Sequence, residues 1–143
     1  GWHFEALLPD EFVVVCNPSH RLAKKTKVTW QDLSKETWVL SPIGSAARDK
    51  FEELCIQYEF IPLTCHVITR VSSMSWAMMQ KRSLVTLVPG SVFQQLKNAH
   101  QLTTVKLKDK LPFDPLGLLL PEKDVSMATH SVATFLRLFC QQK

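Results

Sequence analysis

What most constrains the fold of this chain is an alternation of two sequence periods. Short β-branched runs, Phe12–Cys16 (FVVVC), Thr37–Ser41 (TWVLS) and Leu84–Val88 (LVTLV), each end in turn residues: Asn17-Pro18, then Pro42 and Gly44, then Pro89-Gly90. Such runs read as buried strands. Between them, Phe51, Leu54, Cys55 and Tyr58 recur at i, i+3, i+4 and i+7, with Arg48, Asp49, Glu52 and Glu53 on the remaining positions. That is one apolar face of a surface helix. Strands alternating with helices predict an α/β fold whose sheet has mainly parallel neighbours.

The other elements follow from local signals. Thr29 is placed to cap a single helical turn through Leu33, and Ser45 opens the helix that contains Phe51. Leu63–Val71 alternates in the manner of a strand. Ser72 and Ser73 read as N-caps ahead of a helix over Met74–Gln80, and Ser91 as the cap of a short helix with Val92, Phe93 and Leu96. Leu102–Leu107 and Leu116–Leu120 are strand candidates joined by a charged, proline-bearing connection, Lys108–Pro115. Ser126 precedes a final helix with Ala128, Val132, Phe135, Leu136 and Phe139 on one face.

At 143 residues, 45% of them hydrophobic, the chain can build a core without staples. Its longest purely apolar runs fall far short of the ~20 residues that span a bilayer. The net charge of +4 is mild, and its densest basic stretch (Arg21, Lys24, Lys25, Lys27) sits in a polar loop, as a solvated turn would. Cysteines at 16, 55, 65 and 140 make no CxxC pair and no zinc spacing. Cys16 and Cys140 lie in apolar runs, which fits a reduced, cytoplasmic setting. Gly1 rather than Met opens the sequence, as in a tag-cut product or a fragment of something longer.

Catalytic signatures are missing. There is no phosphate-binding glycine loop, no nucleophile elbow and no zinc-protease pair, and the histidines at 3, 20, 66, 100 and 130 are scattered singly. His66 is expected on a strand in a structural role, and His20 as a turn residue rather than a base. No enzyme activity, metal or cofactor is expected. The helices opening at Ser45 and at Ser72/Ser73 each follow a buried strand, where unsatisfied N–H groups can hold an anionic ligand. A plain cap is the other reading of each serine.

The runs His20-Arg21-Leu22-Ala23, Val28-Thr29-Trp30-Gln31-Asp32-Leu33, and Trp38-Val39-Leu40-Ser41-Pro42-Ile43-Gly44-Ser45 with Arg48 resemble the effector-binding domain of LysR-type transcriptional regulators. Val71–Pro89 and Ser126–Phe139 fit the family's later phrases, so the likeness runs in order over nearly the whole chain. Two positions depart from the pattern. Lys81-Arg82-Ser83-Leu84 replaces the usual glycines before a buried strand, and Arg21 stands where the family has proline. In the family's peroxide-sensing branch a reactive cysteine occupies the position of Ala46, and Cys55 matches only the resolving position. Redox sensing by that route is not expected.

The resemblance implies a periplasmic-binding-protein type II-like fold, with one complete subdomain and returning pieces of another. Residues 13–106 would be the second effector-binding subdomain, and 1–12 with 107–143 part of the first. A DNA-binding domain is not among these residues. A small metabolite, a carboxylate or aromatic acid, would bind in a cleft lined on this side by Ser41, Gly44, Ser45, Ser72, Ser73 and Met74, with Trp76 adding apolar contact. The domain would pair as a dimer or tetramer through the helix at 45–58 and the strand at 63–71. It would meet DNA only through an N-terminal domain, and it would meet no membrane. The Phe135/Phe139 face would lack its partner layer and drive self-association. A transporter's solute-binding protein of the same fold is the alternative.

Overall fold

The computed structural model describes residues 1–67 and 69–142, without the side chains of Leu96, Ala99 and His100. Ile68 in the expected strand, Leu96 on the expected helix face and His100 therefore lie outside the described residues or side chains. The elements in chain order are β1 (Trp2–Cys16), a 3-10 turn (Arg21–Lys24), α1 (Trp30–Leu33), β2 (Thr37–Trp38), α2 (Ala46–Gln57) and β3 (Leu63–Thr64). There follow α3 (Ser72–Lys81), β4 (Val85–Pro89), α4 (Gly90–His100), β5 (Thr103–Thr104), β6 (Leu111–Pro121) and α5 (Met127–Gln141). Among the described residues no helix is long and apolar enough to cross a membrane.

The chain divides into two compact units, one formed by residues 11–112 and one by residues 1–10 with 113–143. In the larger unit the strand order is β3-β2-β4-β1-β5. β2 runs parallel to β3 and to β4, whereas β1 is antiparallel to β4 (Val14 opposite Leu87) and to β5. The sheet is therefore mixed, and helices flank it.

Strand alternation sends neighbouring residues to opposite faces. On one face Val15, Val39, Leu84 and Val88 pack with Trp76 and Met79 of α3 and Phe93 of α4. On the other an aromatic stack fills the space beneath α2. The Trp30 and Trp38 rings lie 6.3 Å apart and nearly parallel, with Tyr58 5.3 Å from Trp30 and Phe51 4.6 Å from Trp38. Trp38 is fully buried, and its Nε1–H donates to the Leu33 carbonyl at 3.1 Å, so its one polar atom is satisfied.

Capping at Thr29 is reciprocal. Its hydroxyl accepts from Asp32 N–H while the Asp32 carboxylate accepts from Thr29 N–H. Ser45 and Ser126 cap α2 and α5 by accepting from Arg48 N–H and Thr129 N–H.

Several boundaries differ from the sequence reading. β1 begins ten residues earlier than its β-branched core, at Trp2 rather than Phe12. β6 takes in Leu111–Pro115, read above as a connection. Among the described residues it pairs with β1 alone, so Pro112 and Pro115 can occupy an edge where no N–H is required. The strand expected over Leu63–Val71 is confined to Leu63–Thr64, extended by one bond from Cys65 N–H to the Trp38 carbonyl. Beyond it Thr69 Oγ1 accepts from Val71 N–H, a local turn that competes with the ladder, and His66 sits in a bend.

In the smaller unit β6 lies against the first half of β1, and α5 follows. Gly117 is required there: a Cβ would come within 2.2 Å of the Glu5 carbonyl oxygen. Arg137 of α5 forms a two-pronged ion pair with Glu5, both contacts at 2.7 Å. Ala133 is the buried residue of α5, while Val132, Phe135, Leu138 and Phe139 are exposed. The sequence placed an apolar face on this helix; in the structure much of that face is open.

Candidate functional site

The site is built by strand ends feeding helix starts. From β2 the backbone continues through Val39, whose N–H donates to the Val85 carbonyl at 2.8 Å and whose carbonyl accepts from the Thr86 hydroxyl, also at 2.8 Å. Pro42 then ends the extended run, and Gly44 turns the chain at φ +84, a left-handed value that disfavours any side chain. Ser45 closes this turn. Its Oγ donates to the Pro42 carbonyl at 2.7 Å and accepts from Arg48 N–H at 3.3 Å.

Arg48 ties the loop down from above. Its Nη1 donates to the Ser41 carbonyl at 3.4 Å, while its Nε pairs with Glu52. The Ser41 hydroxyl in turn donates to the Leu87 carbonyl at 3.3 Å. The loop 41–45 is therefore held at both ends by hydrogen bonds rather than by its own length.

These groups surround a cavity of about 300 Å³ inside the larger unit. The first turns of three helices open on it: Ser45–Ala47 at α2, Ser72, Ser75 and Trp76 at α3, and Pro89 with Val92 at α4. Hydroxyls of Ser41, Thr69 and Thr86 complete the polar lining. Each helix start directs N–H groups and the positive end of its dipole toward the space. No carboxylate lines it, so the arrangement suits an anion.

Of the residues singled out from the sequence, Ser41, Ser45 and Ser72 come together on this wall, and Trp76 joins them. Gly44 shapes the loop without lining the cavity, and Ser73 and Met74 stand exposed beside it. One local expectation is corrected: Ser72 and Ser73 are not caps. Val71 occupies the N-cap position of α3 and makes no side-chain bond, so both serines lie in the first turn. Ser91 likewise does not cap α4, whose N-cap is Pro89. Ser75, Thr69 and Thr86 were missed. Ser75 could have been found one turn after Ser72, but Thr86 lay hidden in a run that reads as plain strand.

Cysteine and histidine chemistry lies elsewhere. Cys16 is fully buried, and burial, with a smaller contribution from Glu36, pushes its thiol up to about 11. Burial also raises Cys55. His20 is a turn residue, its N–H donating to the Asn17 carbonyl, and its buried ring faces Glu36. Among the described residues no cluster of three or more His, Cys, Asp or Glu side chains could hold a metal.

Helix starts beyond the carboxyl ends of strands in a mixed α/β sheet make this a periplasmic-binding-protein type II-like fold. The chain belongs to the LysR substrate binding domain family, whose model matches residues 1–141. It is 26% identical over 137 residues to the HTH-type transcriptional regulator GbpR of Azospirillum brasilense, covering 94% of this chain and 40% of that protein. The regulatory domain of CcmR from Synechocystis PCC6803, solved with 2-PG, superposes with a TM-score of 0.76 at 15% identity, over 98% of this chain and 67% of that one. The effector-binding domain of QuiR, solved with shikimate, gives 0.68 at 17% identity, over 99% and 66%. The chain thus spans less than half the length of its curated relative.

Proposed function

We propose that this chain is the effector-sensing part of a LysR-type transcriptional regulator, and that its hydroxyl-lined cavity takes a small carboxylate or aromatic acid. The observation that carries this reading is the convergence of three helix starts on one space free of carboxylates. Hydroxyls and N–H groups around Ser41, Ser45 and Ser72 would hold the anionic group, and Trp76 with Val88 and Val92 would take the ring or chain. Gly44 would set the loop, and Ser73 and Met74 would stand at the rim. Residues 13–106 act in this reading as the second effector-binding subdomain, with 1–12 and 107–143 belonging to the first.

Effector binding would act by favouring one arrangement of the regulator over another, with differential affinity as its energy source. DNA would be met through a separate N-terminal domain, in keeping with the name of the relative in Azospirillum. Oligomerisation is assigned to α2 and the 63–71 segment, where Ile56, Ile61 and Leu63 are exposed. The family match favours this reading over a transporter's solute-binding protein.

A thermal-shift screen against small carboxylic acids, shikimate included, tests the site. A ligand at about 100 times its Kd should add about 2.7 kcal/mol and raise Tm. An Ala47→Phe substitution, which fills the cavity wall, should abolish the rise. A shift that survives in that variant, or no shift with any acid, would overturn the assignment.

A further inference from the structure

We propose that the opposite end of α3 carries a second binding site, for a small organic monoanion with an apolar body. A cavity of about 730 Å³ there shares no lining residue with the first. Its walls come from two sides. Thr64, Cys65 and His66 lead out of edge strand β3, while Met78, Arg82 and Leu84 span the end of α3 and the start of β4. The volume falls within the range of sites that enclose a small molecule.

The charge balance selects the ligand. Arg82 is the formal charge among the lining residues, and no carboxylate is among them. Arg82 also has no ion-pair partner among the described residues, and its side chain is exposed. A helix C-terminus ordinarily offers partial negative charge that would oppose an anion. Here two of the terminal carbonyls, those of Met79 and Gln80, are engaged by the Asn17 amide, which reduces that opposition. The guanidinium fork is therefore left to an incoming anion, which it can grip with two parallel bonds. Hydroxyls of Thr37, Thr64 and Ser83 stand around it.

Val67, Met78 and Leu84 supply an apolar part of the lining, with His66 and Cys65 beside them. Met78 is a flexible thioether that fits itself to irregular shapes, and Leu84 forms part of the buried core beneath. A bare inorganic anion would leave this surface uncovered, whereas an aryl or alkyl monoanion would use both parts. The departure Lys81-Arg82-Ser83-Leu84, where glycines were expected, is what supplies the cation. The inference stands apart from the effector reading, since neither cavity is needed to explain the other.

Cys65, half-buried in the lining, provides the readout. The full chain is treated with iodoacetamide in the presence of anilinonaphthalenesulfonate, benzoate or inorganic phosphate, and alkylation of each cysteine is followed by mass spectrometry. The proposal expects an organic anion to slow Cys65 alkylation roughly tenfold at ten times its Kd, with Cys55 and Cys140 unaffected. Arg82→Ala should lose the protection and Arg82→Lys should keep part of it. Both changes fall on an exposed side chain and leave the fold intact. Unaltered Cys65 alkylation, equal slowing at all cysteines, protection by phosphate alone, or protection that survives Arg82→Ala would each overturn it.

Discussion

His20 Nε2 lies 3.1 Å from Glu36 Oε2, with the histidine side chain fully shielded and the carboxylate nearly so. Its other nitrogen, Nδ1, accepts from Leu22 N–H at 3.1 Å, so the ring proton is held on the side that faces Glu36. The contact is electrostatic rather than a well-aligned hydrogen bond. Arg21 reaches the other carboxylate oxygen. A buried charge is thus shared between a shielded ring and an exposed guanidinium.

Removing the ring should be costly. His20→Ala leaves the Leu22 N–H and one oxygen of Glu36 without their partner, at about 1–3 kcal/mol. Urea unfolding should show a lower midpoint at an unchanged m-value, and Arg21→Ala should lower it less because that side chain is already solvated. Equal midpoints for His20→Ala and the parent chain would refute the pairing.

Acid should act through Asp32. The Lys25 ammonium, 2.8 Å away, and then the Thr29 N–H hold its carboxyl well below the usual carboxylate range. A lowered folded-state value means a stabilising contribution that is complete above the unfolded value, near 3.9. That contribution is lost as pH falls through the folded-state value. Asp32→Asn should therefore flatten the decline in stability below about pH 4, measured as urea midpoints across a pH series. An identical decline in both proteins would remove Asp32 from the account.

Cys16 should be inert. Its thiol, pushed up to about 11 by burial and then by Glu36, is both protonated and out of reach near neutrality. Alkylation at pH 8 should modify it only after denaturant is added, whereas Cys65 should react in the native chain. Modification of Cys16 at the rate of Cys65 would show that β1 opens readily.

The open face of α5 should drive association. Phe135 is 64% exposed and Phe139 47%, and their rings stack 6.2 Å apart. A contiguous apolar patch of this sort marks a contact surface. The double change Phe135→Ser, Phe139→Ser should reduce the weight-average mass in sedimentation or light scattering. A chain that is already monomeric at high concentration would count against the idea.

How much of this was legible depended on how local the cause was. Thr29, Ser45 and Ser126 cap helices through side chains three residues from their targets, so the sequence alone exposes them. The β-branched cores of β1 and β4 were equally plain, whereas the run expected as a strand over Thr37–Ser41 is confined to Thr37–Trp38. Ser72 and Ser73 misled because Thr69, not a serine, arranges the entry to α3. Leu63–Val71 misled because alternation carries no information about whether a partner strand continues alongside. For β6, the prolines hid a strand that only an edge position permits. The candidate site divided along the same line. Ser41 and Ser45 follow the end of β2 and Ser72 opens a helix, so these announce themselves, while Thr69, Ser75 and Thr86 reach the cavity only through packing. His20 was legible as a turn residue but its burial was not, because its partner, Glu36, is brought to it by the intervening helical turn.

The division of the chain into one continuous unit and one split unit has a consequence for its synthesis. Residues 11–112 form an uninterrupted stretch, whereas the partners that residues 1–10 have within this chain lie at 113–143. Domains fold as they leave the ribosome, at about 5–20 residues per second. The partners that the first half of β1 has within these residues are therefore translated roughly 5–20 s after it, once the intervening hundred or so residues have been made. Slowing translation after residue 112 lengthens that delay and should postpone closure of the split unit.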